Sequence, residues 1–101
     1  MPDTREASQR NITAIFNGIV AESRGRIKIE ATYPQWDAQP DASAGTPKLH
    51  FYLLGNPDPQ YIQFSRALFD DCANQNNTEQ FARAENIIRE KFNSLLPNRH
   101  R

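Results

Sequence analysis

Residues 48–54 read KLHFYLL, and this stretch decides the fold because apolar and polar side chains alternate along it. An alternation with a period of two is typical of a strand that buries one face. The inward side chains are Leu49, Phe51 and Leu53, and the outward side chains are Lys48, His50 and Tyr52. We therefore predict a half-buried strand over 48–54.

An earlier stretch, residues 26–33, reads RIKIEATY and alternates in the same way. Its inward side chains are Ile27, Ile29, Ala31 and Tyr33, and its outward side chains include Arg26 and Lys28. If the two strands pair antiparallel, their core faces must coincide, since a slip of one residue turns every side chain over. Ile29 should then lie opposite Phe51 or Leu53, and Glu30 opposite His50 or Tyr52.

The segment between these strands, residues 34–47, contains three prolines, one glycine and many small residues. This composition predicts a long loop without regular structure, and such loops in compact domains are often functional or mobile. Trp36, the single tryptophan, lies in this segment. Two interpretations stay open: Trp36 pins the loop onto the core, or it is an exposed anchor for a partner.

The N-terminal part of the chain predicts a helix that starts with Asp3 as its cap and stops at Gly25. Its apolar side chains recur at helical spacing: Ile12, Ile15, Phe16, Ile19 and Val20. The dipeptide Asn17-Gly18 is also a strong hairpin signal, but its flanks do not alternate cleanly. Helix is therefore the favoured interpretation of this region.

Two further helices are predicted after Asn56-Pro57-Asp58-Pro59, with Asp58 as a cap and Pro59 at the first helical position. The second helix is expected at about 59–74, with a stripe of Tyr61, Phe64, Leu68 and Cys72. The third is expected at about 78–96, with Phe81, Ala84, Ile88, Phe92 and Leu95 inward. Pro97 ends it, and a short basic tail follows at 97–101.

The predicted architecture is a single small α+β domain over residues 1–101, with the element order α-β-β-α-α. Its antiparallel hairpin should be covered on one face by the helices. A two-stranded sheet is marginal on its own. The sheet would be extended by a third strand that the sequence pattern does not reveal, or by strand pairing across a dimer.

The residue content argues against catalysis and against a metal or other cofactor. Cys72 is the single cysteine and falls on a predicted buried stripe, where it acts as a small apolar side chain. His50 is the only histidine inside the predicted fold, and a zinc site needs three or four ligands. No glycine-rich phosphate loop is present. We therefore predict a protein that is not an enzyme.

One outward face carries the residues that we expect to bind a partner. If the first strand starts early, Arg24, Arg26 and Lys28 project from the same side as the outward residues of the second strand. Arginine and aromatic side chains are enriched where interfaces gain most of their affinity. The predicted partner-binding residues are Arg24, Arg26, Lys28, Trp36, Lys48, His50 and Tyr52.

The expected function is a small adaptor, inhibitor or immunity-type factor that acts on a larger bacterial or phage protein. Twelve basic residues balance twelve acidic ones, so the basic excess of a dedicated nucleic-acid binder is absent. A nucleic-acid module that uses the strand face is the alternative, and a small enzyme or ligand-binding protein is the second alternative. The lack of an apolar signal-type or membrane-spanning run predicts a cytoplasmic protein that avoids membranes, as a monomer or homodimer.

Overall fold

The computed structural model describes residues 4–36 and 47–95. They form an α+β domain, as the sequence predicts, with elements in the order α-β-β-β-α-α, which has one strand more than the predicted order. The elements are α1 (Thr4–Glu22), β1 (Gln35–Trp36), β2 (Lys48–Phe51), β3 (Gln60–Gln63), α2 (Arg66–Asp71) and α3 (Thr78–Leu95). The three strands form one antiparallel sheet in the order β1-β2-β3. Asp3, most of the predicted loop and the tail at 97–101 lie outside the described residues.

The first helix confirms the helical interpretation of the Asn17-Gly18 region over the hairpin. Its end is set by Arg24 and Gly25, which have φ angles of 56° and 92°. This left-handed conformation is favourable for glycine and stops the helix. Ser23 closes the end, because its Oγ donates to the carbonyl of Val20 and accepts from the amide of Ile27.

The predicted strand at 26–33 is wrong in extent, although the predicted register is correct where pairing occurs. Only one bridge forms, between Ile29 and Leu53. It is flanked by a hydrogen bond from the Glu30 amide to the Tyr52 carbonyl, 2.9 Å long. The chain then turns at 31–32, and it rejoins β2 at Gln35, opposite His50.

Two features explain why this strand is interrupted. The turn is closed by a hydrogen bond from the Tyr33 amide to the Glu30 carbonyl, 3.0 Å long. Pro34 follows it and has no amide hydrogen to donate to a ladder. The stretch from Ile29 to Gln35 thus runs beside only the short segment from Leu53 to His50. Regular structure resumes at Gln35–Trp36, inside the segment that we expected to be irregular.

The predicted helix at 59–74 is also wrong in its first half, and the missed third strand is found there. Residues 60–63 form β3, with Ile62 buried and Tyr61 exposed. Helix α2 starts only after Ser65, whose Oγ accepts from the Leu68 amide at 3.1 Å. Tyr61, Phe64 and later residues fit helical spacing, but pairing with β2 provides partners for the extended backbone.

The third helix runs from Thr78 to Leu95, and its predicted inward residues Ala84, Ile88 and Phe92 are buried. On its outer side, Glu85 and Arg89 form a salt bridge of 2.8 Å. A second pair of this spacing, between Asp70 and Arg66 on α2, is longer at 3.8 Å.

The core lies between the helices and the inner face of the sheet. Phe51 from β2 contacts Phe16 from α1 and Phe92 from α3, with ring centroids 5.3 and 5.5 Å apart. Phe16 and Phe92 also contact each other at 5.2 Å. Leu49 and Ile62 complete the buried face of the sheet. Such aromatic contacts add about 0.5–1.5 kcal/mol per pair beyond burial.

A buried amide connects α1 to the end of α2. Asn11 is only 7% exposed, and its Nδ2 donates to the carbonyl of Cys72 at 2.8 Å. Its Oδ1 accepts from Nε2 of Gln75 at 3.4 Å. Because Cys72 caps α2, Asn11 satisfies a carbonyl that the helix itself leaves without a partner.

We predict that Asn11→Ala lowers the free energy of unfolding by about 1–3 kcal/mol, since it leaves a buried carbonyl unsatisfied. Urea unfolding followed by circular dichroism measures this change. Asn17→Ala is the matched control, because Asn17 is exposed on the same helix. Equal stability of the two variants would contradict the proposed role of the buried amide.

Candidate functional site

The outer face of the sheet carries the polar and aromatic side chains of β2 and β3. The buried side chains of all three helices join one core with Leu49, Phe51 and Ile62 on the inner face. Alternation therefore turns His50 and Tyr61 to the opposite side of the sheet. These two residues are directly paired across the strands.

Four rings form what we call the aromatic face: His50, Tyr52 and Tyr61 on this side of the sheet, and Tyr33, which packs on Tyr52 and also against the core. The rings of His50 and Tyr61 lie 6.0 Å apart, and those of Tyr33 and Tyr52 lie 5.1 Å apart. Tyr61 is the most accessible member, with 48% of its surface exposed. The others are partly buried. Aromatic side chains with this degree of exposure supply contact area at low cost in side-chain entropy.

Two ammonium groups lie beside the ring of Tyr61. The Nζ of Lys48 is 5.2 Å from the ring centroid, and the Nζ of Lys91 is 5.9 Å from it. Both distances allow a cation–π interaction. Lys91 belongs to α3, which packs against β3, so the sheet and a helix each contribute one cation to Tyr61. This end of the aromatic face is therefore basic.

The other end of the outer face carries an exposed leucine between charged side chains. Leu54 follows β2 in the turn toward β3 and is 58% exposed. Its amide donates to the carbonyl of Lys28 at 2.9 Å, which places these residues opposite each other. The nearby Glu30 carboxylate accepts from the amide of Gly55 at 3.4 Å. Leu54 and Lys48 are six residues apart, which is roughly 20 Å along an extended chain.

The structure separates the basic residues that the sequence placed on one face. Arg24 is exposed in the turn after α1, and Arg26 is exposed in the bend that follows it. Lys28 is exposed beside Leu54, at the opposite end from Lys48. Arg24 and Arg26 are not aligned with the outer face because residues 23–27 form a turn and a bend, whereas Lys28 lies opposite Leu54 and shares its side of the sheet. Lys48, His50 and Tyr52 do lie on one face.

Trp36 packs against the core, so the exposed-anchor interpretation does not fit the structure. Its ring contacts Phe64 and Phe69, with centroids 5.8 and 5.3 Å away. Its Nε1 donates to Oγ1 of Thr13 at 2.8 Å, which gives the indole its polar partner. Trp36 thus pins β1 to α1, and it is not part of the aromatic face.

Sequence reasoning missed Tyr61 and Lys91, since the sequence pattern places Tyr61 on the inward stripe of a helix. Tyr33, predicted to point inward, does pack against the core, and it also contacts Tyr52. A signal for Tyr61 was present, because buried Ile62 and Phe64 alternate with exposed Tyr61 and Gln63. Lys91 carries no such signal, since its approach to Tyr61 depends on how α3 packs beside β3.

A shallow groove, separate from the aromatic face, lies between the end of α1 and α3 and has a volume of about 210 Å³. Its floor includes Ile19 and Phe92, and its rim includes Arg26 and Arg89. The Arg89 side chain donates to Glu22 and Glu85, and these hydrogen bonds raise the pKa of its guanidinium. This groove is small, and Arg89 is already engaged by carboxylates of the protein itself.

The groups that could support covalent or metal chemistry are few. Cys72 is fully buried, and its Sγ lies 3.8 Å from the carbonyl of Gln80. Burial, with a smaller contribution from the carboxylate of Asp71, raises the pKa of Cys72 from 9.0 to about 11. Within 4–36 and 47–95, no three histidine, cysteine or acidic side chains are close enough to hold a metal ion.

Comparisons with protein-family models, curated proteins and solved structures find no match to this chain. The helices in the described part of the chain are all too short or too polar to cross a membrane.

We predict that the thiol of Cys72 reacts slowly with an alkylating reagent at pH 8 in the native protein and rapidly in urea. The thiolate is the reactive form, and a rise from 9.0 to about 11 lowers its fraction by roughly a hundredfold. Burial slows the reaction further. Equal rates in native and unfolded protein would contradict the buried placement.

The same pKa shift predicts a loss of stability at alkaline pH. The folded-state value is raised, so the stabilisation is complete below pH 9 and is lost as the pH rises toward 11. Between these values the unfolded state has released the proton that the native state retains. Cys72→Ala should lack this contribution, which urea unfolding across the pH range can measure.

Proposed function

We propose that this protein is a non-catalytic binding protein, and that another protein docks on the aromatic face of its sheet. The observation that supports this best is Tyr61, which is 48% exposed with two ammonium groups beside its ring. Tyrosine is enriched among the residues that dominate interface affinity. A ring on a paired strand with two cations against it is also pre-ordered, which lowers the entropy lost on docking.

The demands of folding do not account for this cluster. Tyrosine is common on strands, so a single exposed ring would need no explanation. Here, however, the half-exposed Tyr61 lies beside His50, and Tyr33 packs on Tyr52. The core is already closed on the other side of the sheet by the helices. The half-exposed ring of Tyr61 therefore has a capacity for contact that the fold does not use.

The finer role that we propose is a small adaptor, inhibitor or immunity-type factor that acts on a larger bacterial or phage protein in the cytoplasm. The balanced charge of the chain supports a protein partner, since large excesses of one sign are typical of polyanion binders. A docking surface of one small sheet face also suits a compact factor that acts as a monomer or homodimer. No cofactor is needed for such a role.

A second candidate function is the binding of single-stranded nucleic acid. Sheet-based RNA-binding domains stack bases on aromatic side chains of adjacent strands, and His50 and Tyr61 have such an arrangement. Two features weigh against it. The chain carries no excess of basic residues, and the tilted ring pairs of the aromatic face engage one another rather than offering parallel platforms.

We predict that wild-type protein captures a protein from a lysate of its source cells and that Tyr61→Thr loses at least about tenfold in affinity for it. Threonine retains strand propensity, so the free energy of unfolding should change by less than about 1 kcal/mol. Capture followed by titration of the purified partner measures the binding.

Asn86→Ala is the matched control, because Asn86 is exposed on α3. It should bind as the wild type does. If Tyr61→Thr folds and binds with unchanged affinity, the docking surface lies elsewhere. Capture that depends on nucleic acid, with a steep dependence on salt, would favour the second candidate instead.

A further inference from the structure

We propose that Lys48 and Lys91 form a carboxylate-binding subsite around Tyr61, and that the partner occupies it with an Asp or Glu of an exposed, extended segment. This inference rests on the docking function proposed above and specifies the chemistry of its partner. Lys48 comes from the central strand and Lys91 from the last helix, and both ammonium groups lie within 6 Å of one ring centroid.

The first argument is that the positive charges of Lys48 and Lys91 are not balanced by nearby acidic side chains of the described residues. Neither lysine forms a salt bridge with an acidic side chain in the described ranges 4–36 and 47–95, whereas Arg89 engages both Glu22 and Glu85. The three strands contain no Asp or Glu at all. Two like charges near one ring repel each other, and an anion placed between them converts that repulsion into attraction.

The second argument distinguishes a carboxylate from a nucleic-acid base. A base would stack on the ring of Tyr61, but the ammonium groups of Lys48 and Lys91 already lie over that ring. Stacking would therefore have to displace cation–π contacts before it gained anything. A carboxylate can instead accept hydrogen bonds from an ammonium group and leave its ring contact in place.

The third argument comes from the other end of the same surface. Leu54 is 58% exposed and lies six residues from Lys48, or roughly 20 Å along the strand direction. A partner segment that follows β2 would thus meet a basic end and, at the other end, an exposed leucine flanked by Lys28 and Glu30. The complementary segment is extended, about six residues long, with an acidic residue at one end and an apolar residue at the other.

A library of randomised linear peptides, selected on immobilised full-length protein, tests this proposal. We expect the selected peptides to be enriched in Asp and Glu, and replacement of that residue by Asn or Gln to weaken binding about tenfold. On the double variant Lys48→Met and Lys91→Met, the same replacement should change binding by no more than about twofold, as a double-mutant cycle requires. Methionine keeps the length of lysine, and the variant should fold.

Arg83→Met is the matched control, since Arg83 is an exposed cation on the same helix as Lys91. It should retain the acidic preference in full. A second probe, single-stranded oligothymidylate, tests the use of the lysines for phosphate. Tight binding of this probe with a steep salt dependence, lost in the double lysine variant, would overturn the carboxylate assignment.

The outcomes separate this inference from the proposed function. Peptides that need Tyr61 but show no acidic preference would overturn the subsite and leave the docking face intact. A selection in which no peptide loses affinity with Tyr61→Thr would count against both. Acidic peptides that bind equally to wild type and to the double lysine variant would show that their carboxylates bind at another place.

Discussion

Phe51 contacts both Phe16 and Phe92, and the rest of the structure depends on this cluster of three rings. It joins the central strand to the two long helices, so it fixes which side of β2 is buried. Alternation then fixes the side of the sheet on which the residues next to Phe51 lie. His50 and Tyr52 must lie outside as long as Phe51 lies inside, and a slip of one residue would place both polar groups in the core.

Long, strongly periodic segments could be predicted from the sequence, and short ones could not. Helices α1 and α3 each repeat their apolar side chains over several turns, so no competing pattern fits them as well. Strand β3 has only four residues, and its side chains fit a helical stripe as well as an alternating one. Tertiary pairing with β2 decides between these patterns, and single-sequence periodicity does not contain that information.

The residues of the candidate site could be predicted where they belong to one strand, and could not where they come from different elements. Lys48, His50 and Tyr52 follow from alternation within one strand, and the structure places them together. Tyr61 and Lys91 belong to different elements, and their approach depends on the pairing of β3 and the packing of α3. Arg24 and Arg26 were predicted on this face only because every second residue of a strand points to the same side. That rule does not apply once the chain leaves the extended conformation. Trp36 shows the converse error, since a residue in an apparent loop became a strand residue packed on Phe69.

The cations of α3 and of the outer sheet face make different contacts, and this contrast bears on function. Arg89 ties α3 to α1 through Glu22, so its charge serves the fold at an exposed salt bridge of modest value. Lys48 and Lys91 have only an aromatic ring as a described partner, and such a contact leaves most of their hydrogen-bond donors available. Because Tyr61 stands on an edge strand and Phe51 on the central strand, the fold and the docking face rest on different rings. The exposed ring can therefore be altered by selection for a partner while the buried cluster keeps the sheet in register.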